Sequence, residues 1–341
     1  MYIYDEIYEE VFYSSKIFDY YFKDSEIPGE ENAQIGVFDI ETTGLSPQNG
    51  QVIIGGLITI AVNGLRIRQF FAEDDGEEEE LLIKYKEALD EVDVLISYNG
   101  NSFDFPYLKY RLKRHGLDSY FGRFLSLDMY IVLKRYSNFR KVIPNLKQTT
   151  VEEYLGIDGS RDDMIDGGQS VELYFRYLIN KSEKLRDTML LHNRDDILQL
   201  SRIQWAFDQL DLHRIAAHTG FPIVSDDKKV FVSGIRLKTK HIEINGRYKG
   251  ITGRYKLFRD DCTVSLEPLY EKTLIAPESD HGEIKIDTPL RKEGGNTFIR
   301  KDDLEIAGGD DYYILMKDGE PDHRQINRFV KHMIRDIIEK I

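Results

Sequence analysis

The stretch IGVFDIETTGL, residues 35–45, sets two carboxylates inside an apolar run. Its aromatic and β-branched residues read as a buried strand. Asp39 and Glu41 are two positions apart, so on a strand both emerge from one face. Four other pairs share the D-x-E spacing: Asp24/Glu26, Asp75/Glu77, Asp303/Glu305 and Asp318/Glu320. None of those lies within an apolar strand. Burying adjacent like charges is unfavourable unless a cation compensates them, and a hard divalent cation with oxygen ligands does so. Asp39 and Glu41 are therefore read as a metal-binding pair, against the plainer alternative of a strand end that reaches solvent.

Outward from this strand the pattern is that of an α/β domain. QVIIGGLITIAV (51–62) and LRIRQFFAE (65–73) follow closely, with Gly, Pro and Asn turns and no helix between them, which predicts antiparallel hairpins. A helix is expected from about Glu77 to Leu89, its acidic start suited to the positive end of the helix dipole. DVLISYN (93–99) reads as a buried strand, Phe105 to His115 as a helix, and FLSLDM (124–129) as a fifth strand. LKQTTVEEYLG (146–156), SVELYFRYLIN (170–180) and a long stretch from Ser182 to about Leu210 read as helices. Before all this, residues 1–33 alternate aromatics with acids and form an arm, helical or strand-like. After Phe221-Pro222, short strands recur among Gly and Asp turns. A helix closes the chain with Ile326, Phe329, Val330, Met333, Ile334 and Ile337 at helical spacing. The expected organisation is an arm (1–33), an α/β domain with a mixed five-stranded sheet flanked by helices (34–218), and a smaller β-rich domain ending in a helix (219–341).

A hydrophobic content of 41% with 31% charged residues fits an ordinary soluble protein. No apolar run approaches the ~18 residues of a spanning helix, so no membrane partner is expected. The first residues lack the basic and apolar regions of a secretory signal. One cysteine, Cys262, excludes an intramolecular disulfide and suits a reducing compartment, with the cytoplasm as the expected location. Net charge is −14. Residues 221–341 carry 22 basic and 22 acidic side chains, so the whole excess falls on residues 1–220. Acid concentrated there suits a metal site, because a bound cation inverts the local field.

Two further segments add to the Asp39/Glu41 pair. YNGNSFDFPYL (98–108) closes a strand and opens a helix, and it supplies a third acid, Asp104. Asn99-Gly100-Asn101 lets the backbone reverse there. Asp104 also fits a helix N-cap ahead of Pro106, a role compatible with metal binding. In LLHNRDDILQL (190–200), His192 and Asp196 are four residues apart, offset by about 40° on a helix, and so share one face. Asp195, at i+3, competes with Asp196, and the periodicity of Ile197, Leu198 and Leu200 does not choose between them.

FDIETTGL, YNGNSFD and HNRDD, in this order and at these separations, resemble the three exonuclease motifs of the DEDD superfamily of 3′–5′ exonucleases. Within it, the chain resembles the YprB-type ribonuclease H-like proteins of bacteria. The similarity covers about residues 33–210, and LKQTTVEEYLG resembles the segment before the third motif. It implies a ribonuclease H-like fold, with Asp39 and Glu41 in the first motif, Asp104 in the second and Asp196 in the third as metal ligands. The third motif departs from the family pattern, which is Tyr-x3-Asp or His-x4-Asp. Here His192-x3-Asp196 combines the tyrosine-type spacing with the histidine-type residue, so the resemblance speaks for Asp196 as ligand more than for His192 as base.

The implied chemistry is phosphodiester hydrolysis with two cations, Mg²⁺ or Mn²⁺, roughly 3.5–4 Å apart. An all-oxygen ligand set suits these ions, and the scarcity of Cys argues against a thiolate zinc site. His192 would orient or deprotonate the attacking water. The partner would be nucleic acid, DNA or RNA, entering as a single-stranded 3′ end. Thr42, Asn99 and Phe103 are candidate contacts to the terminal nucleotides, Phe103 being equally suited to the core. Phosphates call for cations, and residues 234–259 hold Arg236, Lys238, Lys240, Arg247, Lys249, Arg254, Lys256 and Arg259 against one acid, Glu243. Arg247, Lys249, Arg254 and Lys256 are the expected contacts, with Tyr248 and Tyr255 placed to stack on bases. The competing reading of this stretch is a hairpin with a solvated basic face. The competing function is an inactive ribonuclease H-like module that binds nucleic acid or protein, whose usual mark, a missing acid, is absent. A polymerase proofreading fragment is a third possibility, disfavoured because the ~120 following residues are too few for a polymerase domain.

Overall fold

A computed structural model describes residues 1–10, 15–23, 33–119, 121–157, 165, 167–258, 262–268, 280–300 and 312–341. Arg259 and the Asp24/Glu26 and Asp303/Glu305 pairs lie outside the described residues. The chain divides into two compact units, one of Met1–Ser15 with Gln34–Leu210, the other of Lys16–Ala33 with Asp211–Ile341. The division differs from the expected boundaries at 33 and 218. The first 33 residues are shared between the units, and the Leu212–Thr219 helix belongs to the second.

The first unit is a helix-flanked six-stranded mixed sheet, a ribonuclease H-like arrangement. Its order is β1 (Tyr2–Tyr8), β4 (Gly64–Phe71), β3 (Val52–Ala61), β2 (Ile35–Thr42), β5 (Val94–Ser97), β6 (Leu125–Asp128). β2, β3 and β4 pair antiparallel through the turns that join them, β1 adds to β4 antiparallel from far away in the chain, and β5 and β6 run parallel to β2. Five of these strands are the expected ones. The sixth is the start of the arm, which pairs along β4 from Tyr2↔Phe71 to Tyr8↔Leu65.

Strand alternation divides the side chains between two cores. On one face Phe38, Ile40, Leu57 and Phe70 pack with Leu81, Tyr85 and Leu89 of α1 (Glu78–Asp90) and Tyr107, Leu108 and Leu112 of α2 (Asp104–Arg114). On the other, Ile53, Ile54 and Phe71 pack with Tyr174 and Tyr177 of α5 (Gly167–Asn180) and Met189 and Leu190 of α6 (Glu183–Ile203). Between them in the chain lie α3 (Met129–Tyr136) and α4 (Gln148–Leu155). Because Phe38 and Ile40 face the first core, Asp39 and Glu41 face α6.

Two adjacent glycines let both helices approach β3. A Cβ on Gly55 would lie 2.7 Å from the Tyr85 ring, and one on Gly56 would lie 2.2 Å from Asn193 Oδ1. The acidic start of α1 does more than complement a dipole. Glu78 is buried and accepts hydrogen bonds from Arg111 Nε at 2.7 Å and Val52 N at 2.8 Å, with His115 Nε2 at 3.0 Å. Burial pushes its carboxyl up, but these partners outweigh that and hold it below the usual range.

The second unit carries an antiparallel six-stranded sheet in the order β10 (Tyr255–Phe258), β11 (Thr263–Pro268), β12 (His281–Pro289), β9 (His241–Lys249), β8 (Lys228–Leu237), β7 (Phe221–Ser225). A four-stranded sheet follows: β13 (Arg291–Glu293), β14 (Asn296–Arg300), β15 (Tyr312–Lys317) and β16 (Glu320–Pro321). The helices are α7 (Leu212–Thr219) and α8 (His323–Glu339), and the six apolar residues expected on the buried face of α8 are all buried. Asn327 of α8, fully buried, donates to the His213 carbonyl at 2.8 Å and to the Tyr21 hydroxyl at 3.1 Å. These bonds tie both α7 and residues 16–23 to α8. Among the described residues no helix is long and apolar enough to cross a membrane.

Candidate active site

The C-terminal ends of parallel β2 and β5, where α/β sheets commonly hold their ligands, open onto a cavity of 580 Å³. Its walls include Asp39, Glu41, Asp104, His192 and Asp196, together with Asn99 and Phe103. Three chain segments far apart in sequence thus present four carboxylates and an imidazole to one space.

Three elements hold the carboxylates, β2 carrying both Asp39 and Glu41. Asp39 projects from β2 towards α6, where Asn193 Nδ2 donates to its Oδ2 at 3.1 Å. Asn193 is itself fixed by Gln69 of β4, which donates to its Oδ1 at 2.8 Å and to the Leu190 carbonyl at 2.8 Å. Tyr85 reaches in from the opposite face, its hydroxyl bonding the carbonyls of Asp39 at 3.1 Å and Gly56 at 2.8 Å. Asp104 opens α2 and is buried, its carboxylate accepting from its own backbone N–H and from that of Ile40. The Asn99 turn that precedes it has φ +63°, a left-handed conformation that asparagine tolerates. Asp128 clamps that turn, accepting from Asn99 N at 3.0 Å and Asn101 N at 3.1 Å, and it also caps α3 at Ile131 N.

On α6 the two neighbouring aspartates point to different surroundings. Asp196 lines the cavity with His192, while Asp195 is buried beside the Arg194 guanidinium at 3.4 Å. His192 Nε2 lies 3.6 Å from Glu41 Oε1 and 3.7 Å from Asp196 Oδ2. These three side chains each bring a ligand atom within 4.8 Å of the others, a spacing at which one ion can be shared.

The electrostatics follow from burial and crowding. Burial first, then the charges of Asp104, Glu41 and Asp196, push the Asp39 carboxyl well above its usual range. Burial also raises Asp104, to about 7, with Asp128 adding to the effect and the two backbone N–H groups opposing it. Acids destabilised in this way bind a hard cation readily, because the ion removes the repulsion that raised them. An all-oxygen donor set with one imidazole alongside fits Mg²⁺ or Mn²⁺.

The remaining expected contacts are distributed differently. Phe103 lines the cavity and also packs 5.5 Å from the Tyr107 ring. Thr42 is buried, and its hydroxyl donates to the Gly44 carbonyl at 3.1 Å rather than facing the cavity. Arg247, Lys249, Arg254 and Lys256 belong to the second unit. There Arg254 and Lys256 pair with Glu267 at 2.8 and 3.2 Å. Tyr248 is 1% exposed on the inner face of β9, so it cannot stack on a base.

Several further residues at the site were not among the expected contacts. Lys147, Gln148 and Thr149 line the cavity at the start of α4, and Gln148 Nε2 donates to the Asp196 carbonyl at 2.9 Å. Tyr98 anchors that approach through the Leu146 carbonyl at 2.6 Å. Asn193 and Gln69 are ordinary polar residues in sequence. Only the neighbouring Gly55-Gly56 hinted that something must press closely on β3.

The ribonuclease H-like fold agrees with the family that the chain matches. A family model for the RNase_H superfamily matches residues 37–207, half of the chain, and the protein belongs to that superfamily. YprB of Bacillus subtilis, an uncharacterized protein, is 32% identical over 171 residues, covering 48% of this chain and 39% of that protein. A DNA polymerase of Methanocaldococcus jannaschii is 52% identical over 46 residues, 14% of this chain and 3% of the polymerase. The chain therefore spans less than half the length of these curated relatives. Among solved structures, the family B DNA polymerase of Pyrobaculum calidifontis superposes with a TM-score of 0.42 at 21% identity, covering 52% of this chain and 24% of the polymerase. Exonuclease I superposes with a TM-score of 0.38 at 10% identity, covering 63% of this chain and 55% of the enzyme.

Proposed function

We propose that the protein is a metal-dependent nuclease that hydrolyses phosphodiester bonds, acting as a 3′–5′ exonuclease on a single-stranded end of DNA or RNA. The observation that carries this reading is the convergence of Asp39, Glu41, Asp104 and Asp196 on one cavity, where burial and then the neighbouring carboxylates raise Asp39. Membership of the RNase_H superfamily supports it.

The four carboxylates would hold two divalent cations, Mg²⁺ or Mn²⁺. Bound there, such ions neutralise the cluster, polarise a phosphoryl group and favour ionisation of a water. The chain's own contribution is placement. The Gln69–Asn193 relay and the Ile40 N–H fix the orientations of Asp39 and Asp104 before substrate arrives, so little reorganisation accompanies reaction. His192, between Glu41 and Asp196, orients the attacking water or accepts its proton at Nε2. Lys147, exposed at the cavity wall, offers a positive charge to a phosphate in an otherwise acidic space. Asn99 and Phe103 contact the terminal nucleotide, the ring supplying a stacking face.

In the second unit, Arg247 and Lys249 share the outer face of β9 and are proposed to contact the nucleic-acid backbone together with Arg254 and Lys256, which also pair with Glu267. Neutralising Arg247 and Lys249 should weaken substrate affinity and flatten its salt dependence, because fewer counterions are released on binding. Turnover at saturating substrate should hold, since such contacts are equal in ground and transition states. Wild-type affinity and salt slope in that double variant would remove β9 from the binding surface.

A second reading of His192 has a specific observation behind it. Its Nε2 is close enough to Glu41 and Asp196 to act as a ligand rather than a base. His192→Ala separates the two. A base is expected to cost about 10²–10⁴ in turnover with cation affinity unchanged, as measured by titration calorimetry. A ligand would cost affinity for the cation as well.

A further inference from the structure

We propose that the outer face of the four-stranded sheet in the second unit is a stacking platform for single-stranded nucleic acid. The inference rests on the nuclease reading for the class of partner, but on different residues. In β14 the buried positions are Thr297 and Ile299, and in β15 they are Tyr313 and Leu315, with Tyr313 packing against Phe329 of α8. Alternation therefore turns Phe298, Arg300, Tyr312 and Ile314 to the opposite, outer face. The strand register pairs Phe298 with Ile314 and Arg300 with Tyr312, and it sets Arg291 of β13 opposite Phe298 on that same face.

The result is a surface that a solvated sheet face does not ordinarily carry. Phe298 and Tyr312 lie 5.9 Å apart between ring centroids and form one continuous aromatic patch, with Tyr312 half exposed. The patch lines a shallow cavity of 350 Å³ with Asn296, Arg300 and Glu293 at its border. Unsatisfied aromatic faces beside arginine match the two recurring parts of a single strand, its base faces and its phosphates. Asn296 adds a side-chain amide able to bond a base edge. Among the described residues on this wall Glu293 is the acid and limits the net charge, so stacking rather than ion pairing supplies most of the affinity. In residues 234–259, by comparison, Tyr248 is buried and Arg254 and Lys256 are paired.

The test uses the full chain in EDTA, which prevents hydrolysis, and a fluorescein-labelled oligothymidylate or oligouridylate followed by anisotropy. Tyr312→Ala and Phe298→Ala should each weaken binding roughly 5- to 100-fold, the range for loss of one base–aromatic stack. Arg300→Gln should weaken it less and lower the salt slope by about one. An oligonucleotide carrying 2-aminopurine should be quenched by the wild type and not by Tyr312→Ala. Because Phe298 is partly buried, the Tyr312 and Arg300 variants decide the matter if Phe298→Ala misfolds. Wild-type affinity and quenching in both would overturn the platform and leave this face to a protein partner. The nuclease reading is tested separately by cation-dependent hydrolysis with the wild type. Hydrolysis without platform dependence sinks only the platform, while platform-dependent binding without hydrolysis sinks only the nuclease.

Discussion

Asp39 is held in an unfavourable place by design of its neighbours. Burial, and after it three neighbouring carboxylates, raise its proton affinity while Asn193 keeps it aimed at the cavity. Replacing it with Asn removes one like charge and keeps a polar side chain of the same size. Cation-dependent hydrolysis should vanish, and the cation-free protein should melt at an equal or higher temperature. A variant that turned over like the wild type would place any activity elsewhere. Asp104 makes a pH prediction with a definite sign. Its carboxyl is raised from 3.8 to about 7, so in the cation-free protein it contributes stability that is complete below the unfolded value and lost as pH rises through 7. The cation-free melting temperature should therefore fall between pH 5 and pH 8 through this group, and Asp104→Asn should flatten that fall. Millimolar Mg²⁺ should restore more stability at pH 8 than at pH 5, because cations and protons compete for the same oxygens. Equal stabilisation at both values would argue that the raised carboxyls take no part in cation binding.

At the scale of elements, β3 is the strand on which the site depends without contributing a ligand to it. Gly56 admits Asn193, and Asn193 positions Asp39. Gly56→Ala puts a methyl within 2.2 Å of Asn193 Oδ1, so α6 or the amide must move. Overpacking of this kind costs about 1–3 kcal/mol, visible as a lower denaturant midpoint, and turnover should fall further than the stability loss explains. A Gly56→Ala protein with intact activity would mean that the Asn193 contact is incidental. The elements themselves were legible where the pattern was long and local. The strands at 35–42, 52–61 and 64–71, the helix starting near Glu78 and the long α6 all follow from periodicity and turn residues. β1 was ambiguous because its pairing partner lies some sixty positions away in β4 and only one of its faces is covered. The boundary near 210 was displaced for a similar reason. Composition changes at Phe221-Pro222, but the His213 carbonyl and α7 are bound to α8 more than a hundred residues later. Contacts decide unit membership, and composition does not report them.

For the whole molecule, charge and chemistry are unevenly distributed along the chain. The excess acid lies in residues 1–220, with the carboxylate cavity, while the neutral remainder carries the basic β9 face and the aromatic sheet. The sequence made the four acids visible because each sat in an otherwise apolar or turn-forming context. It misplaced Tyr248 because a strand's inner and outer faces look alike when tyrosine and arginine alternate. Phe298 and Tyr312 went unremarked because their proximity depends on the register of β14 with β15. The most direct measurement is hydrolysis of end-labelled single-stranded and duplex DNA and RNA by the purified chain, with Mg²⁺, with Mn²⁺ and with EDTA, alongside Asp39→Asn and Asp104→Asn. The predicted result is stepwise shortening from the 3′ end of a single strand, dependent on the cation and absent in both variants. Cleavage that persists in EDTA or in both variants, or intact substrate in every lane despite a folded, cation-binding protein, would contradict the proposal that this cavity is a nuclease site.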